Sequence, residues 1–140
     1  MEIRVDTVEA SLTAAVATPL DVPSMLRRYD DVYAFLRGTE TDVQQVGHNV
    51  ALYGPNRMEV GVVVDRTFEP VGDVRSSALP AGRIAHATHT TGYADLHRTY
   101  AAIEEWCAAH GHRLSGVSWE VYGDPDEHDH VDVEICFLLA

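Results

Sequence analysis

The nine residues GVSWEVYGD (116–124) decide the fold, because nearly the same pattern occurs earlier as GHNVALYGP (47–55). In both segments a glycine precedes a five-residue run that is typical of a β-strand, and a Tyr-Gly pair follows it. The segments begin at residues 47 and 116, which are 69 positions apart. This recurrence predicts that the chain uses one strand motif twice.

Two further segments repeat at nearly the same distance. Apolar residues recur with helical spacing over 25–36 and again over 96–107, 71 positions later. TAAVAT (13–18) likewise parallels RIAHAT (83–88), 70 positions later. Three matches in one order at nearly one offset indicate a duplication rather than chance.

The duplicated unit spans about residues 1–66 and again about 67–140, and each copy predicts the order strand, helix, strand, strand. One copy alone would expose a sheet edge and an apolar face, and two copies side by side would cover both. The sequence therefore predicts an α+β fold built from two tandem βαββ modules within a single domain over residues 1–140.

Local signals predict where the helices begin and end. Asp21 is expected to cap the first helix, and Gly38 is expected to adopt the left-handed conformation after it. The second helix is expected to run from about Tyr93 to His110, where Gly111 stops it.

Composition excludes two classes of partner. The net charge is −12, and the nearest approach to a basic cluster is Arg27-Arg28, so direct nucleic-acid binding is not expected. No apolar run approaches the roughly 18 residues of a membrane span, and the first residues lack the basic-then-apolar pattern of a signal peptide, so neither is expected. Cys107 and Cys136 lie in predicted helix and strand interiors and are expected to be buried thiols, which favours the cytoplasm.

The second half of the chain carries a family resemblance. It rests on LPAGRIAHATHTTGY (79–93), LHRTYAAIEEWCAAHG (96–111), WEVYGDP (119–125) and VDVEICFLLA (131–140), which resemble the GyrI-like effector-binding domain. That domain ends many bacterial multidrug-sensing transcription regulators and also occurs alone. Since no helix-turn-helix precedes it here, we expect a stand-alone domain rather than a DNA-binding regulator.

The resemblance implies a fold and a type of site. It implies one antiparallel sheet with two helices on one side, and a cleft between the modules that takes flat, hydrophobic, often cationic molecules. It also implies that the glutamate of the cleft is Glu134.

Two glutamates of the second module are candidate site residues. Strand alternation places the apolar neighbours of Glu134 against the helices and Glu134 itself on the other face. The repeat aligns Glu134 with Gly61 and Glu120 with Ala51, so the fold does not require an acid at either position. A solvated strand face or an internal partner remains open as an alternative for both carboxylates.

Aromatic residues are the second ingredient of the predicted cleft, because flat cations bind against aromatic faces near a carboxylate. The candidates, for which core packing stays an alternative, are Trp106, Tyr100, Tyr122, Tyr53, Tyr29 and Tyr33. His86 joins them because it replaces the apolar Val16 of the first module. His86 and His89 fall on opposite faces of a strand, which is poor for chelation, and we expect neither a metal nor a cofactor.

Three functions remain open after the motifs are considered. The first is binding of small hydrophobic or cationic molecules in the aromatic cleft. The second is hydrolysis of cyclopropane-bearing natural products with Glu134, or less favourably Glu120, as the catalytic acid or base. The third is interaction with gyrase through the acidic surface, and a protein partner or a homodimer is left open.

Overall fold

The computed structural model describes residues 1–19, 21–38, 41–55 and 57–140. These residues form β1 (Arg4–Val8), β2 (Ser11–Ala17), α1 (Val22–Arg37), β3 (Gln45–Gly54), β4 (Arg57–Val64), β5 (Arg75–Leu79), β6 (Gly82–His89), α2 (Leu96–Ala109), β7 (Leu114–Tyr122) and β8 (Val133–Leu139). A 3₁₀ turn, Tyr93–Asp95, precedes α2. The α+β class is confirmed, with one antiparallel eight-stranded sheet in the order β1-β6-β8-β7-β3-β4-β2-β5 and two helices.

The helix ends agree with the sequence except at Gly38 and at the start of the second helix, where a 3₁₀ turn over Tyr93–Asp95 precedes α2. Asp21 caps α1, because its Oδ1 accepts a hydrogen bond from the backbone N–H of Ser24 at 2.8 Å. Gly111 follows α2 with a φ of 73°, in the left-handed region that favours glycine. The prediction for Gly38 is wrong: it has φ −66° and ψ 152°, because the chain leaves α1 in an extended conformation.

The outer strands are exchanged between the two halves of the chain. β1 belongs to the first half and pairs with β6 of the second, with Arg4 opposite His86. β5 belongs to the second half and pairs with β2 of the first, with Leu79 opposite Ser11. Each half therefore completes the sheet of the other, and the tandem duplication itself stays a prediction.

The sheet must curl strongly, because strands far apart in its order are joined by very short links. β5 is at one edge and β6 is next to the other edge, which would place them about 29 Å apart in a flat sheet. Residues 80–81 alone join them, and three Cα steps span at most about 11 Å. The inner face of this curl is packed with apolar side chains, including Trp119, Leu52, Cys136 and Ile84.

Both helices lie on the outer face of the curled sheet. Residues directly opposite each other in a sheet point to the same face. One such row across six strands is Ala87, Ile135, Glu120, Ala51, Val60 and Val16. α1 packs in a cluster with Val16 at one end of the row, and α2 packs with Ile135 and Ala87 at the other. Glu120 and Ala51 occupy the middle of the row, between the helices.

Neither α1 nor α2 is long and apolar enough to cross a bilayer.

Candidate functional site

A cleft of about 750 Å³ opens between the two helices, with β3 and β7 as its floor. This volume lies within the usual range for small-molecule sites. Both halves of the chain contribute to it. α1 and β3 come from the first half, whereas Tyr93, Leu96, Glu120 and the segment from Tyr122 to Pro125 come from the second.

One side of the cleft is a face of α1. Its residues follow helical spacing, and they are Val22, Met25, Leu26, Tyr29 and Tyr33. Sequence reasoning missed Val22 and Leu26 as site residues. The spacing alone predicts an apolar face, and it cannot distinguish a face packed in the core from one that remains open. Leu26 is in fact 63% exposed, which marks this part of the helix as a wall.

Glu120 lies at the floor of the cleft and is only 4% exposed. Its carboxylate accepts hydrogen bonds from tyrosine hydroxyls on two elements. Tyr100 of α2 donates to Oε2, and Tyr122 of β7 donates to Oε1 at 2.5 Å. Tyr53 of β3 makes a longer approach to Oε1, at 3.5 Å.

These tyrosines remain protonated donors at neutral pH. Burial, and next the negative charge of Glu120, raise the pKa of Tyr100 and that of Tyr122 far above the usual value. The same two causes raise the pKa of Tyr53 to about 12. The ring of hydroxyls therefore solvates the Glu120 carboxylate inside the protein.

The hydroxyls of two further tyrosines of the cleft, Tyr29 and Tyr33, also have partners. Tyr29 donates to the backbone carbonyl of Val50 at 2.5 Å, and Tyr33 donates to the side-chain oxygen of Asn49. Tyr100 is held from behind by Phe137, whose ring centroid is 5.5 Å away in an edge-on arrangement. What the cleft offers a ligand is therefore mainly aromatic and aliphatic surface.

Glu120 differs from Glu59 and Glu134, the other glutamates of the described strands, because no basic side chain of the described residues contacts it. Glu59, also buried, has a guanidinium nitrogen of Arg75 at 3.3 Å, and Glu134 contacts His86. In the described part of the chain, the hydrogen-bond partners of Glu120 are tyrosine hydroxyls and none is basic. A buried carboxylate without a counter-charge is costly, which makes this position unusual.

Glu134 lies outside the cleft, on the inner face of the sheet. It is opposite Val121, one position away from the row that holds Glu120, so strand alternation turns the two carboxylates to opposite faces. Its Oε2 accepts from the hydroxyl of Thr88 at 2.5 Å, and its Oε1 contacts Nδ1 of His86. The other ring nitrogen of His86 is 2.6 Å from Asp6 of β1.

The structure thus divides the residues selected from the sequence. Glu120, Tyr29, Tyr33, Tyr53 and Tyr122 line the cleft, and Tyr100 reaches it through its hydroxyl group. His86 and Glu134 lie together on the inner face.

Trp106 also lies away from the cleft. It packs against the core under α2 and stacks on His110, with ring centroids 4.2 Å apart. Within the described ranges, no group of three or more His, Cys, Asp or Glu residues has an arrangement that could hold a metal ion.

Comparison with known proteins places the chain beside one family. The model of the GyrI-like small molecule binding domain matches residues 48–140. No curated protein matches the chain. Among solved structures, the chain is similar to the EcmrR C-terminal domain, with a TM-score of 0.84 and 14% identity over 99% of this chain and 97% of that one.

Two further structures share the fold. One is SAV2435 bound to tetraphenylphosphonium, with a TM-score of 0.69 and 12% identity over 100% of this chain and 94% of that one. The other is a hydrolase from Listeria innocua, with a TM-score of 0.73 and 9% identity over 99% and 92%. Such low identities establish a common fold and nothing more.

Proposed function

The chain belongs to the GyrI-like small molecule binding domain family, and on that premise we propose that its cleft binds apolar organic cations over Glu120. The observation that carries the proposal is the carboxylate of Glu120, which is buried beneath an open cleft without a described basic partner. A ligand cation supplies the missing positive charge in surroundings of low dielectric, where the attraction is strong.

The walls of the cleft support the same class of ligand. Tyr29, Tyr33, Tyr53 and Tyr122 present aromatic surface, and each aromatic face adds about 0.5–2 kcal/mol to the binding of a cation. Their hydroxyls are already engaged inside the protein, so the ligand needs no hydrogen-bond donors of its own. Organic cations with a shielded or delocalised charge fit this description better than primary amines do.

A pair of probes with one shape and opposite charges tests the proposal. Tetraphenylphosphonium and tetraphenylborate are nearly the same size, so a cleft that selects by shape alone would take both. We expect calorimetric titration to give at least tenfold tighter binding of the cation, which is about 1.4 kcal/mol. Equal affinity for both ions, or no binding of the cation, would contradict the proposal.

Hydrolysis is the second candidate, because a hydrolase from Listeria innocua shares the fold. As a general base, Glu120 would have to take a proton from water. Its oxygens already accept hydrogen bonds from Tyr100 and Tyr122, so a water molecule would have to displace one of these hydroxyls to reach the carboxylate. This geometry favours binding over turnover.

Mass spectrometry separates the two candidates. A cyclopropane-bearing electrophile incubated with the protein should be recovered unchanged, and catalytic release of its water adduct would favour the hydrolase. Interaction with gyrase, the third function considered from the sequence, stays a prediction that retention of the chain on immobilised gyrase would test.

A further inference from the structure

The two walls of the cleft are built very differently. α1 contributes side chains along three turns, from Val22 to Tyr33. From the region that leads into α2, the described lining residues are Tyr93 and Leu96. Tyr93 belongs to the 3₁₀ turn and is 60% exposed, so its own packing holds it weakly. The position of this short wall therefore depends on how the connection between β6 and α2 is held.

His89, the last residue of β6, ties this connection together. It is 3% exposed and lies on the same face of the sheet as the helices, opposite Val133. Its Nδ1 is 2.6 Å from the hydroxyl oxygen of Thr99 on α2, and its Nε2 is 2.5 Å from the backbone carbonyl of Gly92. A neutral imidazole satisfies both contacts, since one nitrogen donates to the carbonyl and the other accepts from the hydroxyl.

The carbonyl of Gly92 directly precedes Tyr93, so its position fixes the start of the wall. Gly92 has a φ of 94°, which glycine adopts readily, and a Cβ at this position would meet no atom within 4 Å. Gly92 has no side chain that could pack, so the hydrogen bonds of its carbonyl help to fix its position. The same carbonyl also accepts from the N–H of Asp95 at 3.3 Å, which begins the turn.

We propose that His89 is a positioning residue for ligand binding, which sets the width of the cleft by holding Tyr93 and Leu96 at a fixed distance from α1. This inference rests on the proposed function. His89 is buried below the wall and does not line the cleft, so it acts through the two wall residues rather than by touching the ligand.

A double-mutant cycle with Tyr93 tests this role, because affinity changes that pass through Tyr93 disappear once its ring is removed. The variants are His89→Leu, Tyr93→Ala and their combination, and the measured quantity is the Kd of tetraphenylphosphonium. We expect His89→Leu to weaken binding about fivefold in the wild-type background and less than about twofold in the Tyr93→Ala background. The control is His86→Leu, three residues away on the inner face, which should leave the Kd within about twofold.

Unfolding by urea, followed by circular dichroism, establishes that each variant is folded when its Kd is measured. Should His89→Leu fail to fold, Thr99→Val takes its place in the cycle. This substitution removes the hydrogen bond between Thr99 and His89 and keeps the shape of the side chain at position 99. A weakening that is equal in both backgrounds, or an unchanged Kd in the folded variant, would overturn the role of His89. A wild-type chain that does not bind the cation would instead contradict the proposed function itself.

Discussion

Glu120 and Glu134 lie on neighbouring strands of one sheet, yet their surroundings are opposite in kind. Glu134 is 30% exposed at its side chain and contacts His86, which also contacts Asp6. Glu120 is buried and contacts tyrosine hydroxyls, which carry no charge. Glu134 thus has a basic partner within the protein, whereas Glu120 has hydrogen-bond donors but no basic partner among the described residues. The difference indicates which of the two can serve an external cation.

The largest expected difference between the two glutamates is in their effect on the affinity for the ligand. Replacing Glu120 by Gln removes the charge and keeps the shape, so the affinity for tetraphenylphosphonium should fall by about 10- to 100-fold, or about 1.4–2.8 kcal/mol. Glu134→Gln is the matched control and should change the affinity by less than about twofold, because it lies on the other face. Calorimetric titration of both variants checks this, and a larger loss in Glu134→Gln would reverse the assignment.

The same two substitutions should have different effects on stability. Glu134→Gln takes a charged partner from His86 and should lower the free energy of unfolding by about 1 kcal/mol, since the site is partly exposed. Glu120→Gln removes a buried charge that has no described basic partner, so it should leave stability unchanged or raise it slightly. Urea unfolding of both proteins without ligand provides the measurement. Strong destabilisation by Glu120→Gln would mean that the tyrosine hydroxyls compensate the charge fully.

The smallest expected effect is a pH dependence confined to the inner face. Burial lowers the pKa of His86, but its hydrogen bonds to Asp6 and Glu134 outweigh burial, and the net shift is upward. Both partners are carboxylates and accept only, so the contacts suit an imidazolium that donates from both nitrogens. Cys136, the register neighbour, stays a thiol at these pH values because burial and then the charge of Glu134 raise its pKa to about 12.

The sign follows from the direction of the shift. A folded-state pKa raised above the usual 6.5 or so means that the stabilisation is complete below that pH and declines as pH rises through the folded-state value. The difference in unfolding free energy between wild type and His86→Gln should therefore shrink from pH 5.5 to pH 8.5 or so. Urea titrations across this range measure it, and a difference that grows with pH would show that His86 is not held as a cation.

Local sequence signals predicted most of the fold, because they act over a few residues. The cap at Asp21, the stop at Gly111 and the two repeated strand motifs all appear where they were expected. The prediction for Gly38 was wrong because a glycine permits the left-handed conformation without requiring it. The exchange of β1 and β5 between the halves was not foreseen, since strand partners are chosen by packing over the whole sheet.

The candidate site was predicted in its composition more than in its position. Tyrosines near a glutamate were expected, and Tyr29, Tyr33, Tyr53 and Tyr122 do line the cleft. The signal that favoured Glu134 was its resemblance to a family position on the last strand. Alternation had already placed Glu134 away from the helices, but no local signal revealed that the cleft lies on the helix side.

The sequence by itself determined the strands, the helices and the face to which each side chain of a strand points, because these follow from the periodicity of the backbone. The repeat also predicted that the fold needs no acid at the position of Glu120, whose counterpart is Ala51. The same prediction for Glu134 is wrong, because once Ala51 is matched with Glu120 the strand register places Glu59, and not Gly61, at the corresponding position. Only the tertiary structure decided which carboxylate lies beneath an open cleft. That depends on where α1 and α2 leave the sheet uncovered and on which cations lie within reach, and both are set by contacts between residues far apart in the chain.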